Sequence, residues 1–272
     1  NLKNLIIGSE GTLGVVTRAT LALAGIPEQI KGGRAVFGTM DGAAAAVFDA
    51  VRSGVDVAKL ELVDPLAAEM ANRYLETGLP TGPMLFFEFH ANHGIDQEIE
   101  FFRTVLESHD VEVLEVASDE RMDELWRARD DLAFAAERYD PELAPQHPGD
   151  VTVPISRYPE IIRYAKELAD EHELLLPCFG HAGDGNLHYL ALVDPEDERM
   201  IETAEAVYGA IVERALEFGG TATGEHGIGM GKRRFLEAEH GPEAVDVMRK
   251  IKAAFDPKDI LNPGKIFPET DR

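Results

Sequence analysis

Two histidines, His181 and His188, bracket the run Ala-Gly-Asp-Gly-Asn within residues 177–190, and imidazoles on either side of so tight a reversal could share one metal ion. Leu174, Leu175, Leu176 and Cys178 lead into the turn and Leu187, Tyr189, Leu190, Leu192 and Val193 lead out, so two short strands are predicted. Gly183 and Gly185 tolerate positive φ, and Asp184 and Asn186 can bond the local backbone. A hairpin-like connection follows, with Asp184 a turn residue and not a ligand. Facing residues on paired strands hold their Cβ atoms about 4.5–5.5 Å apart, and His181 and His188 are expected to face each other in this way. A third ligand is expected from Thr-Gly-Glu-His-Gly-Ile-Gly-Met-Gly-Lys at residues 223–232, where Glu225 would complete a His/His/carboxylate set. Such a set suits zinc first, then iron(II) or manganese, and leaves coordination positions open for a substrate. His226 would stand beside the ion. Gly224, Gly227, Gly229 and Gly231 would let the backbone approach a ligand or cofactor closely, and Lys232 either meets an anionic group or is solvated.

The elements that must position these residues follow from the apolar pattern. A strand at 150–154 and a helix from 158 to about 172 deliver the chain to the hairpin. An amphipathic helix at 198–218, ended by Gly219-Gly220, carries it to the glycine motif. Residues 242–255 repeat Val247, Met248, Ile251 and Phe255 at helical spacing and are expected to pack into the core, and Asp256-Pro257 ends that helix. Upstream, strands are predicted at 34–38, 59–63, 84–90 and 111–116. Helices are predicted at 41–52 with Asp41 as N-cap, at 65–75, at 96–108 and at 119–138. The last of these carries Arg127 and Arg129, either of which could fork onto a substrate carboxylate. Residues 5–7 and the alternating run 15–23 read as strands, Pro27 and Gly32-Gly33 as a boundary, and the Pro-rich residues 139–148 as a loop. The glycines at 8–14 read as a plain turn in preference to a phosphate cradle, since no helix follows them. Strands and helices that alternate at these lengths predict an α+β layer, with helices on one face of a sheet.

The 272 residues carry 50 acidic and 26 basic side chains, a formal charge of −24, which argues against nucleic acid or an anionic membrane as partner. A surface with 9 Lys against 17 Arg and so many acids is expected of a protein that works in concentrated salt, where self-repulsion is screened. The single cysteine, Cys178, excludes an internal disulfide, fits a reducing compartment and reads as a buried small hydrophobe. No apolar run approaches the roughly 20 residues that span a bilayer. A chain that opens on Asn1 and goes straight into structure is expected to be a fragment of a longer protein, without a signal peptide.

Five motifs stand together in one order: Gly-Ser-Glu-Gly-Thr-Leu-Gly at 8–14, Asp-Val-Thr-Val-Pro-Ile-Ser-Arg at 150–157, Gly-His-Ala-Gly-Asp-Gly-Asn-Leu-His at 180–188, Gly-Glu-His-Gly-Ile-Gly-Met-Gly-Lys at 224–232 and Asp-Ile-Leu-Asn-Pro-Gly-Lys at 259–265. With them the chain resembles the FAD-linked 2-hydroxyacid dehydrogenases of the D-lactate dehydrogenase (cytochrome) and glycolate oxidase group, within the vanillyl-alcohol-oxidase-type flavoproteins. The resemblance covers essentially the whole chain. It implies an α+β fold, an antiparallel sheet flanked by helices in a ferredoxin-like cap domain. Residues 1–26 would be the last strands of an FAD-binding domain, 27–240 the cap and 241–272 a helix and segment that return to the flavin. It also implies that His181, His188 and Glu225 bind the metal and that His226 is the base beside the flavin. Arg129 would hold the substrate carboxylate, and Ser9, Glu10, Gly11, Gly14 and Asn262 would line the FAD. Leu190 stands where relatives acting on 2-hydroxyglutarate often have Asn, and the run at 150–157 looks more like the lactate enzymes, so a small monocarboxylic substrate, D-lactate or glycolate, is expected. A quinone, cytochrome or partner subunit would accept the electrons. The implied protein is cytoplasmic or peripheral at the inner face of a membrane, and a homodimer is compatible with it. Two other readings remain: a metal-binding cap inactive without its FAD domain, and a flavin-dependent transferase of the same fold.

Overall fold

A computed structural model describes residues 1–117 and 119–268, apart from the side chains of residues 119 and 120. The chain opens with helix α1, Leu2–Ile6, where a strand was expected, and then runs without regular structure to strand β1, Gln29–Phe37. Residues 15–23 therefore form no strand. Val15, Val16, Leu21, Leu23 and Ile26 are 68–92 % exposed, because β-branched alternation gives a strand only where a neighbour supplies the ladder, and nothing among the described residues does so here. The strands of an FAD-binding domain expected in residues 1–26 are thus not formed within this chain.

Gly32 and Gly33 lie inside β1 and mark no boundary. A Cβ on Gly33 would fall 1.9 Å from the Glu115 carbonyl oxygen and one on Gly32 2.5 Å from that of Phe87, so these glycines allow the neighbouring strands to close on β1. Helix α2, Met40–Arg52, is capped by Thr39, whose hydroxyl accepts the Gly42 N–H at 3.0 Å, and not by Asp41. Strand β2 (Lys59–Val63), helix α3 (Pro65–Leu75), strand β3 (Met84–Ala91), helix α4 (Ile95–Leu106) and strand β4 (Val111–Val116) follow within two residues of expectation. The order β4-β1-β3-β2, antiparallel throughout, is that of a ferredoxin-like unit with α3 inserted between its second and third strands.

The charged helix expected over 119–138 breaks at Asp131 into α5, Asp119–Asp130, and α6, Leu132–Glu137. The Pro-rich stretch after it is largely strand: β5, Ala144–Thr152, includes Pro145 and Pro148. It can do so because β5 lies at the edge of the sheet, where its register against β7 slips between Gln146 and Gly149. Helix α7 (Tyr158–Glu171), strand β6 (Cys178–Gly180), strand β7 (Asn186–Val193) and helix α8 (Glu198–Glu217) complete a second set of strands in the order β6-β7-β5, joined to the first where β6 pairs with β2. In a ferredoxin-like unit a fourth strand would lie against β5. Among the described residues, that position holds a single bridge between Thr152 and Thr221, after which the chain leaves the sheet into the glycine motif. The departure sets up the site.

Helices cover both faces of the sheet, not one. Phe37, Phe87, Phe89, Phe102 and Ile161 pack on one side, and Met70, Met84, Phe86 and Leu132 on the other. β3 and β7 carry apolar side chains toward both, as near-continuous apolar runs must in a sheet covered on its two faces. Cys178 is fully buried, and burial pushes its thiol up to about 12. Helices α9 (Leu236–His240) and α10 (Pro242–Phe255) stand off the sheet. The expected core packing of α10 is not found: Val247 and Phe255 are 53 % and 45 % exposed, while Met248 and Ile251 line a cavity of about 250 Å³ with Leu5, Ile7 and Phe267. Helical periodicity shows that one face is apolar, not what covers it. Among the described residues no helix is long and apolar enough to cross a membrane.

Asp256 fastens the segment after α10. Burial alone would raise its carboxyl, but the Lys252 ammonium and the N–H groups of Leu261 and Ile260 outweigh that and hold it at about 2. A carboxyl lowered by folding stabilises above its unfolded value near 3.8, and that contribution is lost as pH falls toward 2. Asp256→Asn is therefore expected to destabilise the chain at pH 7 and to lose most of that difference only as the pH falls to about 2, as read by urea unfolding at several pH values.

Candidate metal centre and substrate site

β7 sets His188 between Phe179 of β6 and Asp150 of β5. His181 is not its facing partner as expected, because it precedes the helical turn at Ala182–Asp184. The two rings nonetheless meet edge to face with centroids 5.3 Å apart. Past the Thr152–Thr221 bridge, the fully buried Asp150 captures the glycine motif. Its Oδ2 accepts from the Glu225 N–H (2.9 Å), the His226 N–H (2.8 Å), the Thr223 hydroxyl (2.9 Å) and the Lys232 ammonium (3.3 Å), and its Oδ1 accepts from Asn186 Nδ2 (2.8 Å). Position 224 must be glycine, since a Cβ there would lie 2.4 Å from Asn186 Nδ2 and 2.8 Å from Asp150 Oδ1. That close approach is to the chain's own polar floor and not to a ligand. Lys232 is buried, and its anionic partner is Asp150.

The motif so anchored delivers Glu225 to the histidines. Its Oε1 lies 3.2 Å from Nε2 of His181 and 3.2 Å from Nε2 of His188. Bonds of about 2.0–2.1 Å to a tetrahedral zinc ion place its ligand atoms about 3.3 Å apart, which the two distances from Glu225 match, and all three donors lie within 4.8 Å of one another. Asp150, His188 and His226 also gather closely, but the Asp150 carboxylate is filled by its donors and serves as support. The His226 ring stacks on His188 with centroids 5.0 Å apart and planes 10° apart, and its Nδ1 lies 4.0 Å from Asp150 Oδ2. Burial, with the neighbouring His226 and His181, outweighs the pull of Asp150 and pushes His188 down to about 4, so its ring is neutral at pH 7 with a lone pair to give. Its buried Nδ1 faces Asp150 Oδ1 at 3.6 Å, too long for a hydrogen bond, so that attraction is electrostatic. Burial would raise the Asp150 carboxyl, but the His226 and Glu225 N–H groups and Lys232 hold it well below its ordinary value.

Glu61 of β2 connects this cluster to Arg129. His181 Nδ1 donates to Glu61 Oε1 at 2.7 Å, and Arg129 donates from Nε (3.0 Å) and Nη2 (2.7 Å) to Glu61 Oε2. Burial opposes ionisation of Glu61, and its bonds with His181 and Arg129 overcome this and lower its pKa; the same bond raises that of His181. Arg129, in the last turn of α5, lies over the Phe179 ring.

Of the residues expected at the flavin, Ser9, Glu10, Gly11 and Asn262 come together. Asn262 Nδ2 donates to the Glu10 carbonyl at 2.5 Å, and a Cβ on Gly11 would lie 3.9 Å from Asn262. The Glu10 carboxylate accepts the N–H groups of Ile228 (2.7 Å) and Gly229 (2.8 Å), which ties both ends of the chain to the glycine motif. Gly14 stands apart, with nothing within 4 Å of a Cβ placed on it. Sequence reasoning missed Glu61 and the role of Asp150. Glu61 had a signal, since period-2 alternation in Lys-Leu-Glu-Leu-Val puts it on one face with the apolar Val63. Asp150 had none beyond membership of a motif.

Comparison with known proteins adds the following. The sequence model of the FAD linked oxidases, C-terminal domain, matches residues 26–266. A probable mitochondrial D-lactate dehydrogenase of Danio rerio is 36 % identical over 272 residues, 99 % of this chain and 54 % of that protein. The mitochondrial D-lactate dehydrogenase [cytochrome] of Arabidopsis thaliana is 37 % identical, over 98 % of this chain and 47 % of its own length. The glycolate oxidase GlcD protein of Bacillus subtilis is 34 % identical, over 100 % and 58 %. The chain thus spans about half the length of the curated relatives it matches. Among solved structures, p-cresol methylhydroxylase with substrate bound superposes with a TM-score of 0.66 at 14 % identity, covering 90 % of this chain and 54 % of that one. An alkyldihydroxyacetonephosphate synthase gives 0.63 at 19 %, covering 97 % and 49 %. These likenesses establish the fold.

Proposed function

Because the chain belongs to the family of FAD linked oxidases, C-terminal domain, we propose that it forms the substrate-binding half of a flavin-dependent dehydrogenase that oxidises a small D-2-hydroxy acid, D-lactate or glycolate, to the 2-oxo acid. The observation that carries this reading is the donor set of His181, His188 and Glu225, already spaced for a metal and linked through Glu61 to a buried arginine. The names of the relatives support the substrate class.

His181, His188 and Glu225 would hold a divalent cation, zinc first and iron(II) or manganese next. Such an ion supplies Lewis acidity toward the hydroxyl and carboxylate oxygens of the substrate. FAD, lined by Ser9, Glu10, Gly11, Gly14 and Asn262, supplies the acceptor for the hydride released from C2. The remaining tasks fall to this chain's own side chains. Arg129 has Nε and Nη2 committed to Glu61, which leaves Nη1 to take the substrate carboxylate. His226 removes the hydroxyl proton at Nε2: its stacking on His188 fixes the ring plane, and the Asp150 charge near Nδ1 stabilises the imidazolium that forms. Residues 1–26 and 241–272 would meet the flavin on either side of a cap at 27–240. Reoxidation would fall to a quinone, cytochrome or partner subunit, in the cytoplasm or at the inner face of a membrane. The acid-rich, Lys-poor composition supports work in concentrated salt and gives no purchase for nucleic acid. A homodimer fits the same reading.

The test is anaerobic bleaching of the flavin in the full-length protein. D-lactate or glycolate is expected to reduce it, with L-lactate and D-2-hydroxyglutarate slower by at least about tenfold. Failure of every 2-hydroxy acid to bleach the flavin contradicts the proposal.

A further inference from the structure

Glu61 accepts hydrogen bonds from both His181 and Arg129, the two groups assigned above to different ends of the substrate. It projects from β2, which is held between β3 and β6, and its neighbour Leu62 pairs with Gly180, the residue before His181. The backbone beneath it is therefore fixed from both sides. The carboxylate is 7 % exposed and Arg129 9 %, so neither charge is satisfied by solvent. One oxygen takes the His181 Nδ1–H and the other takes two N–H groups of Arg129. With Nδ1 donating to Glu61, Nε2 is the ring atom left for a cation, and it lies 3.2 Å from Glu225 Oε1. With Nε and Nη2 engaged, the guanidinium plane of Arg129 is fixed as well.

We propose that Glu61 is a positioning residue that couples the two halves of the substrate site, setting with one buried carboxylate both the tautomer of the cation-binding His181 and the orientation of the carboxylate-binding Arg129. The inference rests on the function proposed above and names a device that the function does not require. Its consequence is specific. Glutamine in the same place has one acceptor and one donor group, whereas both partners of Glu61 present N–H donors. Glu61→Gln must therefore break one side: either His181 changes tautomer and carries its proton on Nε2, or Arg129 loses its acceptor. A residue that merely filled space would force neither change.

Two-bond ¹H–¹⁵N spectra of the metal-free chain read the His181 tautomer without any activity assay, and chelator competition on the same samples reads zinc affinity. At a pH high enough for the ring to be neutral, the parent is expected to show His181 as the Nδ1–H form. Glu61→Gln is expected to shift His181 toward Nε2–H and to bind zinc about 10–100-fold more weakly. In the flavin-loaded full-length protein at saturating zinc, the same variant is expected to raise KM for the hydroxy acid about tenfold through Arg129. An unchanged tautomer, zinc affinity within about twofold of the parent and an unchanged KM, found together, overturn the proposal, since neither side of Glu61 has then been broken. A parent chain that binds no zinc overturns the metal reading separately, since the tautomer is measured without metal. Should Glu61→Gln fail to fold, Glu61→Asp keeps the charge but falls a methylene short of spanning both partners, and the same readouts decide.

Discussion

Replacing His188 by alanine is expected to strip the 272-residue chain of stoichiometric zinc while leaving it folded. The ring is buried in β7 and neutral at pH 7, so its Nε2 lone pair is available without displacing a proton. Without it, two donors remain where zinc at a catalytic site takes three from the protein. Apparent binding energies of about 10–16 kcal/mol spread over four ligands come to roughly 3 kcal/mol each, so one lost ligand costs about a hundredfold or more in affinity. The fold should lose far less, because Phe179 and His226 still close over the site of the missing ring. Metal analysis beside a thermal melt separates the two effects. In the full-length flavoprotein, turnover should fall by about 10³, the loss of several kcal/mol of charge stabilisation at the substrate oxygen. Retention of one zinc per chain by His188→Ala would assign the metal to other residues.

Asp150→Asn is expected to damage stability and site together. Asp150 is fully buried, and the donors that converge on it include the Lys232 ammonium and the N–H groups of Glu225 and His226. An asparagine amide brings one acceptor where two were needed and turns N–H groups toward other donors. Lys232 then loses the carboxylate it touches and keeps the Asp150 carbonyl and the farther charges of Glu239 and Glu10, a change that costs about 3 kcal/mol, or roughly 10 °C in Tm for a chain of this size. The motif that carries Glu225 and His226 loses its anchor, so zinc affinity should fall although no ligand has been touched. The double variant Asp150→Asn, Lys232→Met removes the stranded charge and should recover part of the stability but not the zinc affinity. Calorimetry and chelator competition on both variants test this. A melt within 2 °C of the parent, about what a surface change produces, would show that Asp150 does not hold the motif.

The sequence disclosed much of this arrangement, and the failures have physical causes. His181, His188 and Glu225 were legible because two histidines around a Gly-Asp-Gly turn and a Glu-His pair among glycines have few structural uses. The segments α3 and α10 were legible because each has one helical period and clear ends, and β2 and β3 because short apolar runs are bounded by turn residues. β5 was partly hidden because Pro145 and Pro148 read as loop, and only its place at the sheet edge makes them tolerable. Residues 15–23 were misread for the converse reason, a strand-like pattern with no partner strand among the described residues. Asp150 and Glu61 matter through what converges on them from Thr223, Lys232, His181 and Arg129, and convergence across tens of residues leaves no local mark.

The measurement that tests the central claim most directly is an anomalous difference map at the zinc absorption edge, from crystals of the chain grown with zinc. The account predicts one strong peak about 2.0–2.1 Å from Nε2 of His181, Nε2 of His188 and a carboxylate oxygen of Glu225. A map with no peak among these residues, or with its strongest peak elsewhere, would contradict it.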